Sequence, residues 1–176
     1  MKKFLIGSAF VALATTALAQ SATEKTGVNS ALGIAPSVED FVREVSSSDV
    51  FEIESSKLAL ERGDDATKAF AQQMVTDHQK TSTELKQLVE SGEVKATLDG
   101  KTSSAHQDML DDLKKLQSAE FIEQYKEDQV SVHEDAVDLF QRYSESGENP
   151  ALKAWAAKTL PALQHHLKAA EDLEKK

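Results

Sequence analysis

The 176-residue sequence contains no cysteine. That excludes disulfides, thiolate metal sites, thiol nucleophiles and a cysteine-borne lipid anchor behind a leader. No stretch alternates apolar and polar residues with the two-residue period of a strand. Cationic surface is also scarce: 20 basic residues face 30 acidic ones, for a net charge of −10. A chain without a basic patch is a poor partner for nucleic acid or an anionic membrane surface. No serine stands in the strained elbow of a hydrolase, and no acidic run has calcium-loop spacing. No internal repeat or low-complexity tract is present.

The longest apolar run is confined to the start. Lys2 and Lys3 precede an apolar stretch over 4–13, and Ala17-Leu18-Ala19 supplies small residues for a signal peptidase. The run is too short to remain as a membrane span. The expectation is cleavage after Ala19 and a periplasmic or secreted protein with no membrane insertion. Two lysines and no acid leave with the signal, taking the charge from −10 to −12. The expected organisation is a signal peptide over 1–19, a flexible polar lead-in over 20–36 and one helical domain over 37–176.

Helical signals dominate from Ser37 onward. Ser37 with Asp40 caps a first segment, which the run Ser46-Ser47-Ser48-Asp49 interrupts or kinks. Asp49 with Glu52 repeats the capping pattern and opens a helix over 49–62, stopped by Gly63. A second long helix is expected over 65–91, a short one over 104–117, and a third long one over 119–145. Asn149-Pro150 then starts a fourth, with Pro161 inside it and a local bend expected there. This pattern predicts an all-α four-helix bundle with a short extra helix in the crossover between the second and third long helices.

Projection at about 100° per residue locates the apolar face of each helix. Four ligand-type residues fall on those faces, one per long helix: Glu52, His78, His133 and His166. His165 points to the charged side, and His106 on the crossover helix is expected to be exposed. His166 is expected about one turn, roughly 6 Å, from the level of His133. Gln129 matches its level better and is the reserve ligand. Asp77, Tyr125 and Asp128 border the same faces and could orient the imidazoles.

A buried polar group without a partner costs on the order of 1–3 kcal/mol, so four converging ones must satisfy one another, hold water or bind something. Three imidazoles and a carboxylate suit one zinc, copper, iron or manganese ion. The metal-free alternative is a closed hydrogen-bond network of Glu52, Tyr125 and the histidines, inside a periplasmic interaction or envelope-stress module. A redox enzyme around a bound metal is the third reading, and it requires an open coordination position and a channel. Ferritin-type di-iron chemistry is disfavoured, because its Glu-x-x-His signature occurs nowhere in the chain. No catalytic set emerges, so the expected role is metal handling or stress protection rather than a defined reaction. Protein partners are not legible.

The segments Phe70-Ala71-Gln72-Gln73-Met74-Val75-Thr76-Asp77-His78 and Thr159-Leu160-Pro161-Ala162-Leu163-Gln164-His165-His166-Leu167 resemble a bacterial exported family, the domain of unknown function 4142. Glu52, Phe121, Tyr125 and His133 are also similar to its pattern, from which this chain departs at Ile122, where many relatives carry an aspartate. The resemblance runs from Phe41 to Leu173. It implies a ferritin-like bundle outside the cytoplasm and no established activity.

Overall fold

A computed structural model describes residues 28–98 and 100–175. The expected signal peptide over 1–19 lies outside the described residues, as does the lead-in up to 27. Six helices are described: α1 (Val28–Ala31), α2 (Val38–Arg62), α3 (Asp65–Glu90), α4 (Ser104–Lys115), α5 (Ser118–Ser146) and α6 (Pro150–Glu174). There is no strand among the described residues. Side-chain caps set four helix starts, at Ser37, Asp64, Ser103 and Asn149, each accepting a backbone N–H three residues on. The turn between α2 and α3 is tight enough that a Cβ on Gly63 would stand 2.7 Å from the Ala59 carbonyl.

The helices pack as two hairpins, α2 with α3 and α5 with α6, closed into a bundle by α2 against α5 and α3 against α6. One long crossover joins the hairpins, as in ferritin-like folds, and carries α4 across α2 and α5. Two apolar clusters fill the bundle. One contains Phe41, Leu85, Phe140, Tyr143 and Trp155, and the other contains Phe51, Met74, Leu113, Phe121 and Leu173. Along α3, His78 falls between Met74 of one cluster and Leu85 of the other. His133 on α5 falls likewise between Val132 and Ala136, and His166 on α6 between Leu163 and Ala170. The histidines therefore occupy a polar layer between two dry ones.

Two local expectations change. The serine run does not interrupt α2, which continues through it for 25 residues. Ser47 and Asp49 are 1% and 2% exposed and spend their side chains on other helices, not on capping their own. Tertiary hydrogen bonds thus remove the local competition that disfavours such residues mid-helix. Residues 28–36, read as part of a flexible lead-in, are held against α5. Ser30 donates to Asp138 at 2.8 Å, and Arg142 donates to the Ile34 carbonyl at 2.7 Å. The helix α6 continues through Pro161. Pro161 and Ala157 are both exposed, so water can satisfy the carbonyl that the proline leaves unpartnered.

Candidate metal centre

Each core histidine is clamped at one nitrogen by a different kind of partner. His78 Nδ1 meets Asp49 Oδ1 at 2.8 Å, and Ser82 donates to the other Asp49 oxygen at 2.9 Å. His133 Nδ1 bonds the Gln129 carbonyl at 2.8 Å. A carbonyl can only accept, so Nδ1 carries the proton and Nε2 keeps a bare lone pair. His166 Nε2 meets Asp77 Oδ2 at 2.9 Å. The other nitrogen of each ring, Nε2 of His78 and His133 and Nδ1 of His166, is buried without a hydrogen-bond partner.

The ring centroids form a near-equilateral triangle with sides of 5.6, 5.6 and 5.5 Å. One nitrogen from each ring lies within 4.8 Å of the other two, and all three residues are buried. The three rings therefore converge on one point, whatever the offset between the turns that carry them. Gln129 fixes His133 through its backbone, while its amide donates to Ser55 at 3.5 Å.

Glu52 is fully buried, and neither of its oxygens has a hydrogen-bond partner. Its Oε1 stands 3.6 Å from His133 Nδ1, the clamped side of that ring, and Glu52 does not join the three histidines at their spacing. It is a buried carboxylate beside the triad. Burial pushes its carboxyl up, against the lowering effect of the His78 charge.

The electrostatics divide the imidazoles. Burial and the His78 charge hold His133 down at about 3. Burial, then the charges of His78 and His133, hold His166 down at about 4 despite Asp77. Both are neutral at physiological pH, the state a metal needs. For His78, burial pulls the other way but the Asp49 bond and the Glu52 charge outweigh it, and the net direction is up. Asp49 is also raised, chiefly by burial. That pair therefore holds a proton to higher pH than either group would alone.

The remaining expected residues separate. Asp77 does orient an imidazole, that of His166. Tyr125 is fully buried but shares its hydroxyl hydrogen bond with Ser56 at 2.8 Å, not with Glu52 or a histidine. Asp128 accepts from Gln124 at 2.9 Å and has no bond to an imidazole. His165 is exposed, as expected. His106 is not: it is half-buried, with Nδ1 2.7 Å from Ser47 Oγ and its ring stacked on Phe51 at 5.4 Å. Asp49 is the site residue that the sequence reading misassigned, as a helix cap. An uninterrupted helix would have placed it one turn from Glu52 on the same face.

Burial pushes Asp128 up to about 6, so it is ionised and unfavourably placed near neutral pH. Its folded value lies above its unfolded one, so the penalty exists above about 6 and fades as pH falls. Asp128→Asn is expected to stabilise the fold near neutral pH by about 1 kcal/mol, discounted for screening at the bundle rim. Thermal unfolding at neutral and mildly acidic pH checks this, and the gain should shrink on acidification.

A helical bundle with one long crossover and a three-histidine layer in its core defines the class of this protein. The chain belongs to the family described as domain of unknown function (DUF4142), whose profile matches residues 12–173. No curated protein sequence matches it. Among solved structures, it is similar to "CopM in the Cu(II)-bound form", with a TM-score of 0.66 and 16% identity. That alignment covers 81% of this chain and 98% of the other. At this identity the likeness shows a shared fold.

Proposed function

We propose that the chain binds one divalent transition-metal ion through His78, His133 and His166, and that it handles metal outside the cytoplasm. The carrying observation is the set of three buried imidazole nitrogens that have no hydrogen-bond partner while the opposite nitrogen of each ring is clamped. Asp49, Asp77 and the Gln129 carbonyl supply the outer partners that orient metal-bound histidines. Each orphaned buried group costs on the order of 1–3 kcal/mol, a large share of a domain's roughly 5–15 kcal/mol net stability. One cation satisfies all three nitrogens together, and the buried Glu52 carboxylate lies beside them as a counter-charge.

Among the four ions that suit this donor set, copper(II) is favoured over zinc, iron and manganese by the general affinity order for nitrogen sites. The Cu(II) form of the similar CopM structure supports the same choice. The residues 1–19 support export, and no described helix is long and apolar enough to cross a membrane. The metal-free alternative requires a closed network, and the partners it needs are taken: Tyr125 by Ser56, and the outer imidazole nitrogens by Asp49, Gln129 and Asp77.

The test is metal stoichiometry on protein purified without a histidine tag and exposed separately to copper, zinc, iron and manganese. One equivalent of tightly held copper is expected. Less than about a tenth of an equivalent of every ion, at concentrations where such sites fill, sinks the reading.

A further inference from the structure

An ion can reach so deep a centre only through an opening. His78, His133 and His166 are each at most 4% exposed, and the two apolar clusters close the bundle on either side of their layer. A cleft of about 590 Å³ does run inward between α2, α5 and the start of α4. Its lining passes from exposed Ser104 and Asp135 to buried Asp49 and His78, with half-buried His106 intermediate in exposure.

His106 is held in place by two contacts. Its ring lies against Phe51, and Nδ1 is tied to Ser47 Oγ. The Ser47 hydroxyl also accepts the Ser103 N–H at 2.7 Å, which pins the start of α4 to α2. A hydroxyl can donate to Nδ1 or accept from it, so the same bond survives whether Nε2 carries a proton or a cation. Nε2 itself has no hydrogen bond among the described residues. Burial lowers His106, with the Glu52 charge opposing, so the imidazole is neutral near pH 7 and close enough to the core to feel that carboxylate.

We propose that this cleft is the route by which a divalent cation reaches the three-histidine centre, and that His106 Nε2 is its transient ligand on the way. The inference rests on the metal reading above and adds a path and one further functional side chain. Asp135 on the cleft wall supplies negative charge for attraction, and Asp49 and His78 form its inner end. A transient ligand lowers the barrier in both directions, so its loss changes rates and leaves the equilibrium in place.

The experiment is stopped-flow mixing of the whole chain with Cu(II), followed by quenching of the single tryptophan, Trp155, and release to a chelator. His106→Ala and His106→Gln are compared with the unsubstituted chain, with thermal unfolding recorded for each. Expected are uptake and release both slowed about tenfold in both variants, with one equivalent still bound and affinity within about twofold. The glutamine amide can keep the Ser47 hydrogen bond but is a poor ligand, so normal rates in His106→Gln would reduce His106 to a structural role and overturn the proposal. Unchanged rates in both variants, or slowing by Asp77→Asn alone, overturn it too, the latter moving the route to the α3–α6 seam. No copper uptake by the unsubstituted chain overturns the metal reading along with the route, whereas normal uptake with unaltered rates overturns only the route.

Discussion

Glu52→Gln is expected to stabilise the metal-free protein near neutral pH and to weaken its grip on metal. Glu52 is 0% exposed, and neither carboxylate oxygen has a hydrogen-bond partner. An amide of the same shape removes the buried charge without opening a cavity. The amide is still a buried polar group, so what is relieved is the charge alone, about 1–3 kcal/mol. At roughly 2–4 °C per kcal/mol for a domain of this size, melting rises by about 2–12 °C. The pH dependence follows from burial, which holds the folded carboxyl above its ordinary value of 4.5. The folded state then binds the proton more tightly than the unfolded state does. Wild-type stability gains as pH falls through the folded value, and the advantage of glutamine fades with it. Copper affinity should fall about 10–100-fold, because the nearest uncompensated negative charge is lost. A variant less stable than wild type at neutral pH, with undiminished affinity, would remove Glu52 from the site.

Copper is expected to raise the melting temperature by about 8–16 °C at a free concentration near a thousand times its dissociation constant, from roughly 4 kcal/mol of linkage. The three rings are already clamped, so little conformational freedom is lost on binding. His133→Gln and His166→Gln should abolish the shift, measured against each variant's own metal-free melting point. Protons compete in two stages. The first is through His78, whose imidazole is raised, and it weakens affinity by at most tenfold per pH unit. The second begins as pH approaches about 4, where His166 protonates, followed by His133 at about 3. Calorimetric melting with and without copper across this range checks both stages. A shift that persists unchanged in both glutamine variants would place the ion elsewhere on the molecule.

Much of this was legible in the residues. Caps at Ser37 and Asn149, a stop at Gly63, and a 3.6-residue apolar period delimit the helices without reference to any contact. The same periodicity turns His78, His133 and His166 inward and leaves His165 outside, because a helix face is a local property. Three things were not local. Whether the three rings converge depends on how α6 lies along α5, which counting residues from the turn does not give. Asp49 reads as a cap when only its neighbours are considered, and becomes the His78 partner only once α3 lies alongside α2. His106 reads as exposed on a polar-looking helix, and becomes the cleft wall only because the crossover lays α4 against Phe51 and Ser47.

The sequence by itself therefore determined the helices, their buried faces and which histidines enter the core, since these follow from side-chain period and capping chemistry. The tertiary structure alone decided which nitrogen of each ring is clamped and which is free. It also set Glu52 beside the triad and not within it, and opened a path from solvent to His78. Such outcomes turn on distances of a few ångströms between different helices, which packing sets and local pattern does not encode.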